Sequence, residues 1–369
     1  MIFVVVGTRP EVIKMAPVVT ALKARRIPFR LIATGQHDSW PMMGRFLESF
    51  HLVVDHQLGL SHRDMLGSFS EIVAKLGALL VSERPSLVLA VGDTTTVFAA
   101  ALAARKSGAA FGHVEAGLRA FSRELPEEEH RICSDALADL LFAPTQIAVE
   151  NLTRERVNGQ IVLSGNTVLD ALRMHAPAAV PAAARTDILI TLHRQETVDD
   201  PVKLGLVFEA LEALGQSQPV VWPVHPRTAA RAAAAGLALP RSIAIVEPLG
   251  HRDFLARLAA SRLVVTDSGG VQEEAAILGT PCVTVRTSTE RPETIAEGVG
   301  VLTSIGVRSI LDAIEHVLGD WARFARPVPY LYGDGRSGER IAQACANWLA
   351  ARASAAPPLQ RTGTDVVRR

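Results

Sequence analysis

The residues Ser268, Gly269 and Gly270 follow the apolar run Leu263 to Thr266 and lead into a segment bearing Glu273 and Glu274. A strand that passes through small residues into a helix leaves the first helical N–H groups without partners, at the positive end of the dipole. Such a corner suits phosphate oxygens. The glycines are expected to make the reversal, with the helix starting near Val271. Read alone, the pattern also fits an ordinary strand-turn-helix corner. It gains weight from Thr289, Glu290, Arg291, Pro292 and Glu293, which close the following strand. In parallel sheets, ligands collect at such strand ends.

Other strand ends carry related chemistry. Gly7, Thr8, Arg9, Pro10 and Glu11 follow the first apolar run, with Lys14 one turn later. Proline at the first helical position beside Arg9 makes a second anion-handling corner. Asp93 follows Gly92 after the run Leu87 to Val91, where it either caps a helix or serves as an acid or base. Glu115 and Arg119 follow the next strand and are expected to point to the mouth of a cleft, while Glu127 and Arg131 share a helix face at i, i+4 spacing. His193, Arg194 and Glu196 end one strand of the second half, and His225 ends another. Converging carboxylates are costly unless they share protons or bind ligand, so this set points to general acid/base work.

Positioning these groups requires sheets whose carboxyl ends face one another. Apolar runs alternate with helical segments, the pattern of parallel α/β sheets with helices on both faces. Strands are expected at Ile2 to Val6, Phe29 to Ala33, Leu87 to Val91, Ala110 to Val114 and Leu141 to Ala143. A second series is expected at Ile188 to Leu192, Val220 to Val224, Ala244 to Val246, Leu263 to Thr266 and Cys282 to Val285. Residues 176–186 hold two prolines and no helical period, which divides the chain into units 1–175 and 187–336. A helix within 337–353 is expected to cross back to the first unit, and 354–369 reads as a frayed, flexible polar tail.

Lysine plus arginine equals aspartate plus glutamate at 38 each, so no global field recruits nucleic acid or an anionic membrane. Any anion must be held by local groups. Cys133, Cys282 and Cys345 are widely spaced in apolar or helical sequence, which suits reduced thiols in a cytoplasmic protein and no metal site. The apolar opening Met1 to Val6 is too short to span a bilayer and reads as a buried strand.

The segments GTRPEVIKMAP, TGQH, GDTTT, HVEAGLR, PEEEHR, LHRQE, HPRT, DSGGVQEEA, TERPE and YGDGRSGERI occur in order from residue 7 to about 341. Together they resemble the non-hydrolysing UDP-N-acetylglucosamine 2-epimerases. The resemblance implies two Rossmann-like domains with parallel sheets, a glycosyltransferase-B-like fold, the nucleotide in the interdomain cleft and a homodimer. It implies inversion at C2 of UDP-GlcNAc to give UDP-ManNAc, through elimination of UDP to a 2-acetamidoglucal and re-addition, without a cofactor. By motif, Asp93, Glu115, Glu127 and His193 match catalytic positions, and Arg9, Lys14, Arg119 and Arg131 match a cationic wall. Ser268, Gly269 and Gly270 match the diphosphate turn, Glu274 a ribose acceptor, Phe254 a uracil-side contact and Arg291 a sugar or phosphate contact.

Two departures concern the sugar. His130 stands where the family usually has Asn, and Thr197 replaces the Asn of its H-R-x-E-N motif. The alternatives are therefore a 2-epimerase of a modified UDP-sugar such as a diacetamido-uronic acid, a hydrolysing 2-epimerase, a glycosyltransferase, or a non-catalytic UDP-sugar sensor. In bacterial members a second UDP-GlcNAc activates through the TGQH region and the arginine of the H-R motif. Here Gln36 and Arg194 are kept, but Asp38 and Ser39 follow His37 in place of Arg and a second polar amide, so activation is expected to be weak or absent.

Overall fold

The computed structural model describes residues 1–35, 40–62, 64–122 and 125–355. The activator-site residues Gln36, His37, Asp38 and Ser39, and the tail from 356, lie outside them.

Seven parallel strands form the first sheet: β1 (Ile2–Val6), β2 (Phe29–Ala33), β3 (His56–Gln57), β4 (Leu87–Val91), β5 (Ala110–Val114), β6 (Leu140–Ala143) and β7 (Gln160–Leu163), in the order β3-β2-β1-β4-β5-β6-β7. Six more form the second: β8 (Ile188–Thr191), β9 (Val220–Pro223), β10 (Ala244–Val246), β11 (Leu263–Thr266), β12 (Cys282–Val285) and β13 (Gly300–Thr303), in the order β10-β9-β8-β11-β12-β13. Each sheet reverses its winding beside its first strand, between β1 and β4 and between β8 and β11. Crevices for ligands open at such points, outside the carboxyl ends of the strands.

Three strands absent from the sequence expectation, β3, β7 and β13, are all sheet edges. Covered on fewer sides, they lack the continuous apolar run that marks a central strand: β7 is exposed or half-buried throughout, whereas every residue of β1 is buried. In β1 the side chains alternate between layers. Val4 and Val6 pack with the helices Arg9–Ala24 and Ser337–Ala355. Phe3 and Val5 pack with Ile72 and Leu76 of the helix Met65–Glu83 and with the alanines of Thr95–Ser107. Met65–Glu83 is long and apolar enough to cross a membrane by length and composition, but one face of it is part of this core.

Residues 176–186 contain only a single 3-10 turn, Ala182–Ala184. The last helix runs to Ala355, two residues into the segment read as tail, and packs on Arg9–Ala24. The approach is close: a Cβ on Gly338 would lie 2.6 Å from the Pro17 carbonyl oxygen. An apolar cluster joins the halves, in which Val168, Leu169 and Leu172 of Thr167–Met174 meet Leu255, Ala276, Ile277, Val328 and Tyr332. Cys282 and Cys345 are buried free thiols, whereas Cys133 is only partly covered.

Candidate active site

The carboxyl ends of the two sheets face a cavity of about 240 Å³. Arg9 and Lys14 reach it from the helix Arg9–Ala24 after β1, His193 from the end of β8 and His225 from the end of β9. Phe254, Ser268, Gly270 and Glu274 complete the part of its wall that the sequence singled out, and Arg9 Nη2 lies 3.0 Å from His225 Nε2 across the seam.

Ser268 caps the helix Gly269–Leu278 without a side-chain hydrogen bond, and its own N–H donates to Thr266 Oγ1 at 3.0 Å. The helix starts at Gly269 rather than Val271, and neither glycine adopts positive φ, so the reversal does not rest on them. They have different uses. A Cβ on Gly269 would meet Glu290 Oε1 at 2.5 Å, whereas nothing lies within 4 Å of a Cβ on Gly270, which borders the cavity. Room at the N-terminal turn of a helix is what a phosphate group requires.

The acids gather where the two halves meet. Glu115 follows β5 with φ of +66°, a conformation that a non-glycine residue adopts only when its surroundings compel it. Its Oε2 accepts from Lys14 Nζ at 2.7 Å and lies 3.8 Å from Arg291 Nη2, while Oε1 has no hydrogen-bond partner among the described residues. Burial alone would depress Lys14, but Glu115 and Glu273 outweigh it and hold its ammonium above the usual range, so Lys14 stays cationic. Arg291 also pairs with Glu273, which accepts from Asn166 Nδ2 at 2.7 Å. Burial pushes the Glu273 carboxyl up to about 7 against the opposing pull of Arg291 and Lys14.

A neighbouring cluster contains Asp93, whose Oδ2 accepts from Arg131 Nη2 at 2.5 Å. Burial works to raise Asp93, yet Arg131, Arg194 and Lys14 hold it below the ordinary carboxylate range. Arg131 and Glu127 stand at i, i+4 in the helix Pro126–Leu137 as expected, but Arg131 donates to Glu128 Oε2 at 2.6 Å and Glu127 lies 3.6 Å from Arg194 of the second half. Glu290 sits 3.3 Å from Arg194 and 3.9 Å from Arg131, and accepts from Arg286 at 2.7 Å. Despite burial, these arginines keep it well below the usual range. The expectation for Arg119 is corrected. Its guanidinium is buried between Asp135 at 2.7 Å and Glu155 at 2.6 Å; like Asp93, Glu115, Glu127, Arg131 and Arg291, it does not line the cavity, but unlike the last four it is paired only within the first half.

Sequence reasoning passed over the supports. Asp267 is buried and accepts from the backbone N–H groups of His193 and Arg194, both at 2.9 Å, which ties the end of β8 to the phosphate-like corner. Its place immediately before Ser268 was the available signal. Glu11 accepts from Gly7 N at 2.7 Å, Thr8 Oγ1 at 2.9 Å and Thr94 Oγ1 at 2.8 Å, pinning the first corner to the loop of Asp93. Burial lifts it to about 7. Thr197 is buried behind the helix start and does not line the cavity, whereas His130 Nδ1 lies 2.8 Å from the Asp93 carbonyl oxygen. Phe46 and His251 also border the cavity, and no sequence motif marked them.

The family model described as UDP-N-acetylglucosamine 2-epimerase matches residues 20–346. The chain belongs to this family. Among UDP-N-acetylglucosamine 2-epimerases, that of Methanococcus maripaludis is 36% identical over 360 residues, which cover 92% of this chain and 96% of the relative. The UDP-2,3-diacetamido-2,3-dideoxy-D-glucuronate 2-epimerase of Pseudomonas aeruginosa is also 36% identical, covering 93% and 98%. The crystal structure of the Methanocaldococcus jannaschii enzyme with UDP-GlcNAc and UDP superposes with a TM-score of 0.86 at 35% identity, covering 94% of this chain and 99% of that one. A spinosyn rhamnosyltransferase shares the fold alone, at a TM-score of 0.55 and 16% identity. The fold is thus glycosyltransferase-B-like, and membership of an epimerase family makes the protein an isomerase.

Proposed function

We propose that this protein interconverts UDP-GlcNAc and UDP-ManNAc. The observation that carries the reading is Glu115, strained in φ and bonded to Lys14, which itself lines the cavity into which the N-terminal turn of Gly269–Leu278 opens. In this reading the N–H groups at Ser268 to Gly270 hold the diphosphate, with Arg9 and Lys14 neutralising its charge. Asp93, Glu115, Glu127 and His193 form the acid/base set. One member takes the C2 proton as the C1–O bond to UDP breaks, leaving the glucal. UDP then adds back while a proton returns to C2 on the opposite face. Retaining UDP through both steps separates an epimerase from a hydrolase, and the N–H groups and cations around the corner support retention.

The decisive experiment is incubation with UDP-GlcNAc in D₂O. Deuterium at C2 together with UDP-ManNAc is expected. Free ManNAc would overturn the reading in favour of hydrolysis, and binding without exchange in favour of a sensor. A second reading, a diacetamido-uronate substrate, is favoured by the equal identity of the Pseudomonas relative and by His130 beside Asp93. Comparing C2 exchange on both sugars decides between them. We further infer units 1–175 and 187–336, a cytoplasmic setting, a product used for surface polysaccharide and a homodimer. The exposed Met65, Leu66 and Val81 of Met65–Glu83 support the dimer, which sedimentation tests.

A further inference from the structure

His251 has no part in the chemistry above, yet it makes contacts on both sides of the seam between the halves. It opens the helix His251–Ala260 of the second half and is buried. On one side its Nε2 lies 3.1 Å from Glu274 Oε1, whose residue borders the cavity. On the other its Nδ1 lies 3.3 Å from Nδ1 of His175, at the end of Thr167–Met174 where residues 176–186 begin. Nε2 of His175 in turn lies 3.0 Å from the Ser49 carbonyl oxygen, on the helix Trp40–Ser49. The rings of Phe46 and Phe50 close the group, with Phe50 stacked on His175 at 4.1 Å and 5.8 Å from His251.

Donor counting orders this chain. The Ser49 carbonyl can only accept, so His175 donates from Nε2. Burial pulls the His175 pKa down, which favours the neutral ring and leaves its Nδ1 as acceptor. The Glu274 carboxylate can only accept, so His251 donates to it from Nε2, while its Nδ1 faces His175 at 3.3 Å. Both nitrogens are used, one toward each half of the molecule.

We propose that His251 is a positioning residue that fixes the carboxylate of Glu274 for a nucleotide hydroxyl and ties it, through His175, to the first half of the protein. The assignment rests on the cavity being the nucleotide site, which UDP binding by the unmodified protein tests separately. By the motif resemblance Glu274 matches a ribose acceptor; His251 would supply its orientation, and with it a mechanical link from bound nucleotide to the seam.

Two substitutions separate the two bonds. In His251→Gln the amide nitrogen takes the place of Nε2 and keeps the bond to Glu274; in His251→Asn it takes the place of Nδ1 and loses it. By calorimetry, UDP affinity is expected to fall about tenfold in H251N and to be largely restored in H251Q. In turnover the loss should fall on KM, with kcat little changed. Equal affinities for unmodified protein and both variants, or an equal loss in both, would overturn the proposal. If UDP fails to bind the unmodified protein, the nucleotide reading itself falls. Should the variants not fold, amide exchange in the unmodified protein decides: UDP is expected to slow exchange in Trp40–Ser49 and at the end of Thr167–Met174, and unchanged exchange there overturns the link.

Discussion

The two halves bring the same architecture to the cavity and differ in the side chains at their strand ends. At the first sheet, carboxylates and cations interlock: Glu115 with Lys14, and Asp93 with Arg131. At the second, the wall is made of a helix start, Phe254 and the rings of His193 and His225, with His193 nearly half exposed at 44% of its side-chain surface. One edge crowds charged groups around the strained Glu115, and the other offers room and N–H donors. The difference teaches a division of labour. A parallel sheet supplies only the platform, and the residues at its strand ends decide whether it reacts or grips.

The comparison is broken most severely by removing a proton acceptor from the first edge. Glu115→Gln keeps the size and the hydrogen-bonding reach toward Lys14 but cannot take a proton. Loss of C2 exchange by about 10²–10⁴-fold is expected, with UDP affinity nearly kept. A variant that exchanges normally would move the acid/base role elsewhere.

A smaller effect is expected at the second edge. Gly269→Ala drives a methyl group into Glu290 Oε1, which Arg286 and Arg194 hold in place. The crowding should cost about 1–3 kcal/mol of stability in denaturant unfolding. KM should rise more than kcat falls, since the gripping edge is disturbed. A fall confined to kcat would show that the two edges are not separable.

The smallest effect is a pH slope. Glu11 is lifted to about 7 from a usual 4.5, so the folded state holds its proton more tightly than the unfolded chain does. Its stabilising contribution is complete below the unfolded value and is lost as pH rises through about 7. Glu11→Gln should therefore flatten the decline in unfolding free energy across that window. A slope identical to that of the unmodified protein would mean that Glu11 does not titrate there.

Much of this division was legible in the residues. Central strands announced themselves through continuous apolar runs, and the corners at Arg9, Asp93, Glu115, His193 and Ser268 through polar residues placed immediately after them. What stayed hidden depends on packing across the chain. Nothing local tells that Arg119 folds back to Asp135 while its neighbour Glu115 meets Lys14, because that choice is made by a turn and by partners far away in sequence. Phe46 and His251 escaped notice for the same reason: each is an ordinary helical residue until the two halves meet.

The return of Ser337–Ala355 to the first half means that the chain crosses the seam twice, once through 176–186 and once through the passage ending at Tyr332, whose carbonyl accepts from Asn166 N at 2.9 Å. A single tether would let the halves swivel in any direction. A pair of tethers behaves as a door hung on two hinges: rotation about the line between them is easy, and twisting about any other axis stretches one of them. The cleft can thus widen to admit a ligand and come back to the same register, so an acid on one leaf meets the same atom of a ligand held on the other at each closing.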